Sequence, residues 1–206
     1  MDFEKTWRPA YAACAERAGG DRAAELLELV GQDRTGRIDP RSPLACGTLD
    51  EIWDIWQEHA DIDRDELDEL AFQEAVITPI CPLTPVFSQL THLRLGMATM
   101  DSTRAARHTA QVLGLKLDFI TGCDGGFGVK PQPGMVLGFC EAVGLSPAEV
   151  AMVGDTLHDL HTARAAGALA IAVTTGASPR ELLEPEADVV LESVAQVPAW
   201  LQSRDT

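Results

Sequence analysis

The sequence contains little positive charge and very little lysine. Its 16 Lys and Arg residues face 32 Asp and Glu residues, so the formal net charge is −16, and lysine occurs only as Lys5, Lys116 and Lys130. Nucleic acids and anionic membrane surfaces select basic protein surfaces, so we expect neither as a partner. An anionic small molecule would need a cation acting at short range, and we consider Lys130, Arg37 and Arg41 for this role.

Disulfide frameworks, zinc sites and membrane spans are also unsupported by the sequence. The five cysteines are odd in number and include no Cys-x-x-Cys pair, which argues against the first two. No segment approaches the roughly 18 consecutive apolar residues of a membrane-spanning helix, and the first residues lack the basic and apolar regions of a signal peptide. We therefore expect reduced thiols and a cytoplasmic location.

An apolar segment in the second half of the chain ends at two spaced carboxylates. Residues 150–153 (Val-Ala-Met-Val) suit a buried parallel strand, and Asp155 and Asp159 follow it. Thr156 is a suitable N-cap for a helix that ends at Gly167. Because carboxylate oxygens suit a hard cation, we interpret this strand end as a metal site, with an ordinary solvated strand-to-helix turn as the alternative.

Two further segments supply a hydroxyl group and an ammonium group. Residues 94–99 form a second apolar strand that ends at Thr99, and open α/β sheets bind ligands at such carboxyl ends. Lys130 precedes Pro131 and Pro133, which restrict the backbone and let a helix begin soon afterwards. A lysine whose direction is fixed in this way suits a phosphate oxygen.

Together these segments resemble motifs two, three and four of the haloacid dehalogenase superfamily, most of whose members are phosphatases. The matching residues are 98–102 (Ala-Thr-Met-Asp-Ser), 130–133 (Lys-Pro-Gln-Pro) and 154–159 (Gly-Asp-Thr-Leu-His-Asp). The resemblance is closest to the phosphoglycolate phosphatase-like branch. It implies an α/β fold in which a Rossmann-like parallel sheet core carries an α-helical cap domain that selects the substrate.

The resemblance also implies roles for individual residues. In the family's mechanism an Asp attacks phosphorus, Mg²⁺ bridges carboxylates and phosphate, and here Thr99 and Lys130 would stabilise the transferring group. Asp155 would bind the metal. Asp159 would hold or orient the metal's water shell and Lys130. The implied cofactor is therefore Mg²⁺.

Four further residues, some of them outside these motifs, are weaker candidates. Met100 stands where relatives often carry Asn, and Arg41 lies in a long loop at residues 31–47; we keep both as substrate-binding candidates. A loop of that length in a helical bundle favours a functional role, although a mobile surface segment is an equal alternative. His158 and His161 are one helical turn apart, and we interpret them as exposed helix residues rather than metal ligands.

The family's first motif, an apolar strand leading into Asp-x-Asp-x-Thr, has no counterpart in the 206 residues. Asp61 and Asp63 have the spacing, but they open an acidic stretch typical of a solvated helix. Residues 2–7 instead resemble the segment that follows the first motif. We therefore expect the reading frame to continue upstream of Met1 and to encode that strand. Without it the first core strand is missing, and the two strands that flank it in the resembled fold each lose a partner.

Hydrophobic periodicity divides the chain into two regions. Residues 1–88 show only helical spacing and are assigned to the cap domain, while residues 89–206 alternate strands with helices and are assigned to the core. Helices are predicted at residues 7–18, 21–31, 48–59, 64–77, 102–113, 134–143 and 157–166. Strands are predicted at residues 94–99, 117–121, 150–154, 169–174 and 188–192.

The sequence thus predicts an Mg²⁺-dependent phosphate monoester hydrolase of a small phosphorylated metabolite. Two alternatives stay open: a catalytically inactive, truncated remnant that binds a ligand or a protein, and phosphotransfer or dehalogenation on the same fold. The oligomeric state and the substrate's identity are not indicated. Because the attacking Asp has no counterpart, we expect the 206 residues alone to bind Mg²⁺ weakly and to leave p-nitrophenyl phosphate intact.

Overall fold

A computed structural model describes residues 2–176 and 178–204, which divide into two compact units, Met1–Thr78 and Pro79–Thr206. Residues 79–88 group with the second unit, whereas the sequence analysis divides the chain after residue 88. The assignment of the two regions as cap and core stays a prediction. Within the described residues, no helix combines the length and apolar character needed to cross a bilayer.

The first unit is helical. Its helices are α1 (Phe3–Gly19), α2 (Ala23–Leu29), α3 (Pro43–Cys46), α4 (Leu49–Gln57) and α5 (Arg64–Glu74). Helix α1 packs along α5 and α2. The loop predicted at residues 31–47 is more ordered than expected, because it contains α3 and an antiparallel bridge between Gln32 and Ile38.

Two tryptophans anchor α4 in the core of this unit. Trp53 and Trp56 are fully buried, and their ring centroids lie 5.0 Å apart. The indole N–H of Trp53 donates to Asp68 Oδ1 at 2.7 Å, and that of Trp56 donates to the Leu26 carbonyl at 2.8 Å. Each ring is therefore buried without leaving an unsatisfied donor, which would cost about 1–3 kcal/mol.

The second unit alternates strands and helices. Its elements are α6 (Leu83–Ser88), β1 (Gly96–Ala98), α7 (Thr103–Val112), β2 (Phe119–Thr121), α8 (Gly134–Val143), β3 (Ala151–Gly154), α9 (Leu157–Ala166), β4 (Leu169–Val173), α10 (Arg180–Leu183), β5 (Val189–Leu191) and α11 (Val197–Arg204). All the strand pairs are parallel, which confirms the predicted α/β fold. The strands are shorter than predicted because hydrogen-bonded pairing covers only part of each apolar segment.

The described strands form two sheets instead of one. β1 pairs with β2, and β3, β4 and β5 form the second sheet in that order. No hydrogen-bonded pairing joins β1 to β3 in the described part of the chain. Helix α8 packs against β1 and β2 and also against α9, which covers β3 and β4, so the helical layer is continuous beneath both sheets.

Local sequence signals set the limits of α8 and α9. Both helices span the residues predicted for them and end at glycines in the left-handed conformation, Gly144 with φ 73° and Gly167 with φ 80°. A side chain at either position would be strained, so glycine favours termination there. Thr156 caps α9 as predicted, since its Oγ1 accepts a hydrogen bond from the Asp159 backbone N–H at 3.4 Å.

Candidate active site

The polar residues predicted for the site lie at the carboxyl ends of β1 and β3. Thr99 follows β1, Asp155 follows β3, and Asp159 is in the first turn of α9. Lys130 comes from the loop between β2 and α8, and its Nζ lies 2.6 Å from Asp159 Oδ1. Lys130 thus contacts the segment after β3, and the charge of Asp101, after β1, also acts on its ammonium group.

Lys130 and Asp159 form a buried ion pair. Their side chains are only 10% and 6% exposed. Burial alone would lower the pKa of Lys130, but the negative charges of Asp159, Asp155 and Asp101 outweigh it and hold that pKa above its ordinary value. Burial would likewise raise the pKa of Asp159, but Lys130 and Thr156 outweigh it and hold that pKa below its ordinary value. Both groups are therefore charged at neutral pH.

The Asp159 carboxylate is saturated with hydrogen bonds. In addition to the Lys130 contact on Oδ1, Oδ2 accepts from the Asp155 N–H at 3.2 Å, the Thr156 N–H at 3.1 Å and the Thr156 hydroxyl at 2.7 Å. Gly154 makes this close approach possible, because a Cβ at that position would lie 2.2 Å from Asp159 Cβ. Asp159 therefore fixes Lys130 and the backbone that follows β3.

Asp155 presents its carboxylate beside the loop that follows β4. A Cβ added to Gly176 would lie 1.6 Å from Asp155 Oδ2, so the loop backbone packs directly on this carboxylate. No group of three or more His, Cys, Asp or Glu side chains among residues 2–176 and 178–204 is arranged to hold a metal alone. The chemistry at Asp155 nevertheless fits Mg²⁺, which is usually held by one or two carboxylates, water and phosphate oxygens.

Asp101 is a member of the site that the sequence analysis did not identify. Its Oδ2 accepts a hydrogen bond from Thr99 Oγ1 at 3.1 Å, and the backbone N–H of Asp101 donates to Thr99 Oγ1 at 3.2 Å. Burial raises the pKa of Asp101, against the opposing effects of Thr99 and the Lys130 charge. The residue lies within the segment 98–102, two positions after Thr99, but its burial and its contact with Thr99 could not be inferred from that spacing.

The structure groups four of the six predicted site residues and leaves two apart from the network. Lys130 and Asp159 are in contact, Asp155 adjoins them through its backbone, and Thr99 connects through Asp101. Met100 is half-buried beside Thr99. Arg41 belongs to the first unit, where it is exposed on a turn and its backbone N–H donates to Asp39 Oδ1 at 2.9 Å. The functional roles of all six residues stay predictions.

The expectation of two exposed histidines is wrong, because both residues are only partly exposed. His158 is half-buried, and its Nδ1 is buried without a hydrogen-bond partner in the described part of the chain. His161 is 43% exposed, and its Nε2 lies 3.5 Å from Glu186 Oε2. Both residues lie on α9, which packs against β3 and β4, and helical spacing alone does not identify this partial burial.

Asp61 and Asp63 do not follow a strand. Asp63 is the N-cap of α5, with Oδ1 accepting from the Glu66 N–H at 3.1 Å. Asp61 precedes it in a segment without regular structure. Both residues belong to the first unit, in agreement with the prediction that this Asp-x-Asp is not the end of a buried strand.

Comparison with known proteins gives partial matches in sequence and broad matches in fold. The family model described as "HAD-hyrolase-like" matches residues 128–197. The phosphoglycolate phosphatase of Chromobacterium violaceum is 40% identical over 107 residues, which are 51% of this chain and 47% of that protein. The phosphoglycolate phosphatase of Thiobacillus denitrificans is 40% identical over 68 residues, which are 32% of this chain and 30% of that protein. The chain spans about half the length, or less, of the curated relatives it matches.

Solved structures share the fold across most of the chain. A HAD phosphatase from Thermococcus onnurineus has a TM-score of 0.64 at 21% identity, covering 94% of this chain and 87% of that one. CbbY from Rhodobacter sphaeroides, in complex with phosphate, has a TM-score of 0.61 at 21% identity; the match covers 95% of this chain and 90% of CbbY. The chain is thus similar to haloacid dehalogenase-like hydrolases in its fold and over residues 128–197, and to a phosphoglycolate phosphatase over about half of its length.

Proposed function

We propose that this chain belongs to an Mg²⁺-dependent phosphatase that hydrolyses a small phosphorylated metabolite, similar to phosphoglycolate phosphatases. The observation that carries the proposal is the buried ammonium of Lys130, held by Asp159 in the first turn of α9, just beyond the carboxyl end of β3. Parallel α/β sheets bind ligands at this edge. The phosphatase relatives and the phosphate complex of a structural neighbour support the same class of substrate.

Lys130 would bind and stabilise the phosphate group. An ammonium group has three donors, and Asp159 accepts only one of them, so two N–H groups are left for phosphate oxygens. Because the neighbouring carboxylates keep the pKa of Lys130 high, the group carries its positive charge throughout the neutral range. A fixed charge of this kind stabilises the negative charge of the transferring group.

Thr99 would supply a second contact to the phosphate. Its single hydroxyl proton is directed at Asp101 Oδ2 in the structure, 3.1 Å away. To donate to a phosphate oxygen, the hydroxyl must turn away from Asp101. Phosphate binding would therefore exchange one hydrogen bond for another instead of adding one, and Thr99 would contribute to position more than to affinity.

Asp155 would hold the metal ion. When Mg²⁺ is bound, it would neutralise negative charge on the phosphate. Asp159 would serve the metal site indirectly, because its two oxygens already accept four hydrogen bonds and are needed to fix Lys130 and the backbone of Asp155. The attacking carboxylate is not assigned to any residue of the chain.

Calorimetric titration with inorganic phosphate in Mg²⁺ tests the binding site. Asp155→Asn should abolish the Mg²⁺ dependence of phosphate binding, and Lys130→Arg, which keeps the charge but changes its geometry, should weaken binding about tenfold. Lys116→Ala is the matched control, since Lys116 is exposed and precedes β2, at the opposite end of that strand from the site. Equal phosphate affinity in all three variants would overturn the assignment.

Turnover separates hydrolysis from binding alone. The protein at its full natural length is assayed with p-nitrophenyl phosphate and Mg²⁺. Turnover that disappears in Asp155→Asn supports a phosphatase. Phosphate binding without turnover supports the alternative, a non-catalytic phosphate-binding protein.

A further inference from the structure

The loop that carries Lys130 has a composition that does not favour a fixed path. Residues 122–130, between β2 and α8, include four glycines and form neither a helix nor a strand. Glycine loses more backbone freedom than any other residue when it is ordered, so such a loop needs strong contacts to hold one path. Residues 124–128 are exposed, so burial of the loop itself does not supply those contacts.

Phe127, the one aromatic residue of this loop, packs directly on α8. A Cβ added to Gly138 would lie 2.4 Å from Phe127 Cε1, and a Cβ added to Gly134 would lie 1.9 Å from the Phe127 carbonyl oxygen. Residues four positions apart lie on the same face of a helix, so the two glycines form one notch on α8. The Phe127 ring occupies this notch, and the Phe127 backbone lies against the first turn of the helix.

A second aromatic ring holds Phe127 from the side of the sheet. Phe119, in β2, meets Phe127 edge-on, with ring centroids 5.4 Å apart and ring planes at 63°, which is a favourable arrangement for two aromatic rings. Phe127 nevertheless remains 36% exposed, so it is not an ordinary core residue. Its ring contacts both elements that flank the loop and thereby fixes the loop relative to them.

Lys130 follows Phe127 by three positions and is held from two directions. Asp159 binds the ammonium at the tip of the side chain, whereas the Phe127 contacts hold the backbone from which that side chain extends. Between them the chain enters a turn in which the Gln132 N–H donates to the Val129 carbonyl at 2.9 Å. A displacement of the loop at Phe127 would therefore be transmitted over a short, turned segment to Lys130.

We propose that Phe127 is a positioning residue for Lys130: its ring, seated in the notch formed by Gly134 and Gly138, fixes where the Lys130 ammonium meets a phosphate oxygen. The inference rests on the proposed function, because it concerns the geometry of the same phosphate site. Phe127 itself touches neither phosphate nor metal in this role. Since a misplacement of about 1 Å can cost about 100-fold in a reaction, loss of the ring should impair the site without removing any charge.

Chemical labelling of lysine reports on Lys130 without any ligand. Acetylation by an N-hydroxysuccinimide ester is followed by mass spectrometry, and the exposed Lys116 is the internal reference. Phe127→Ala should raise the labelling rate of Lys130 relative to Lys116 at least about tenfold, because the loop then opens more often. Phe127→Leu, which keeps an apolar side chain in the notch, should retain most of the protection. Equal labelling of Lys130 in the wild type and in Phe127→Ala would overturn the positioning role.

Phe139 provides a matched control. It also lies on α8 and also packs on Phe119, with ring centroids 6.1 Å apart, but its ring lies beside Gly96 of β1. Phe139→Ala therefore removes a comparable aromatic contact without touching the notch, and the labelling of Lys130 should stay within about twofold of the wild type. A rise as large as that in Phe127→Ala would mean that labelling reports a general loosening of the second unit, and the proposal would fail.

Gly138→Ala tests the notch from the side of the helix. Alanine is favoured over glycine in a helix interior, but here the added methyl group would lie 2.4 Å from the Phe127 ring and displace it. The change should therefore raise the labelling of Lys130 as Phe127→Ala does. In a Phe127→Ala background it should add nothing, because both changes act through one contact. Additive effects of the two changes would contradict the notch.

Calorimetric titration with inorganic phosphate and Mg²⁺ separates this inference from the proposed function. In the protein at its full natural length, Phe127→Ala should weaken phosphate binding about tenfold. In a Lys130→Met background the same change should have no effect, because the ammonium that Phe127 positions is absent. A wild-type protein that binds no phosphate would overturn the proposed function. Phosphate binding that Phe127→Ala leaves unchanged, or weakens equally with and without Lys130, would overturn the positioning role alone.

Discussion

Replacement of Lys130 by Met tests the buried ion pair on which the candidate site depends. The change keeps the aliphatic length of the side chain and leaves the Asp159 charge without its cation in surroundings where that carboxylate is only 6% exposed. Removing one partner of a buried pair typically costs about 3–5 kcal/mol. Since Asp159 Oδ2 keeps three hydrogen bonds, we expect about 3 kcal/mol, the lower end of this range.

A double-mutant cycle isolates the interaction. The variants are Lys130→Met, Asp159→Leu and the combination of both, which removes both charges. Because the combination leaves no unpaired buried charge, its cost should be at least about 2 kcal/mol less than the sum of the single costs. Lys116→Met, at an exposed lysine, is the charge-matched control and should change stability by no more than about 0.5 kcal/mol.

The assay must report on the second unit alone. Three of the four tryptophans, Trp7, Trp53 and Trp56, belong to the first unit, so tryptophan fluorescence is mainly an internal reference. Native-state hydrogen exchange of Ile171 and Ala172, which are fully buried in β4, gives the free energy of opening of the second unit. If Lys130→Met lowered the free energy of opening by less than about 1 kcal/mol, the buried ion pair would be refuted, because an exposed ion pair contributes that much.

Three further predictions concern the same network. Asp101→Asn should raise the melting temperature at pH 7 by a few degrees, because burial disfavours the charged form of Asp101, and the gain should disappear near pH 3, where the wild-type carboxyl is also neutral. Thr156→Ala should destabilise the fold by about 1–2 kcal/mol through loss of the α9 cap, whereas Thr156→Ser should retain most of the stability in urea unfolding. The stability difference between the wild type and Lys130→Met, followed by melting temperature against pH, should be constant through neutral pH. As pH falls, it should shrink between the pKa of Asp159 in the variant, which burial raises once Lys130 is absent, and the lowered pKa of Asp159 in the wild type. It should also shrink as pH rises through the raised pKa of Lys130, above the ordinary 10.5.

Local chemistry was sufficient to predict α8 and α9 from the sequence. Each begins after residues that favour a helix start and ends at a glycine, so short-range signals determine the boundaries. The same reasoning overextended α5 to residue 77, because the apolar residues after Glu74 continue the helical spacing while the backbone at Ala75 is extended, with ψ 104°. Hydrophobic spacing therefore identifies the helix better than its end.

The pairing of Lys130 with Asp159 could be inferred only through the family resemblance. The two residues are 29 positions apart, and it is the path of β2, α8 and β3 that brings them together. The role of Asp101 could not be inferred from spacing either, because its burial and its contact with Thr99 depend on the turn after β1. Tertiary proximity, and not residue type, determines which of the many carboxylates belong to the site.

The division of the strands into two sheets follows from pairing energetics. Apolar segments at residues 94–99 and 150–154 predict two strands but not which strands are adjacent. A strand needs a partner for its backbone groups, and in the described part of the chain β1 is paired with β2 while β3 is paired with β4. A hydrophobic pattern reports the burial of side chains and not the pairing of backbone edges, so the lost partners of these two strands could be expected only through the family resemblance.

The balance of charge in the candidate site leads to a further consequence of the proposed function. One ammonium, that of Lys130, is surrounded by the carboxylates of Asp159, Asp155 and Asp101, and Asp159 already balances it. A phosphate group entering this site would meet a net negative field at short range, in a chain whose formal net charge is −16. A divalent cation at Asp155 would reverse that field locally. By thermodynamic linkage, phosphate would then raise the affinity for Mg²⁺ by the same factor by which Mg²⁺ raises the affinity for phosphate.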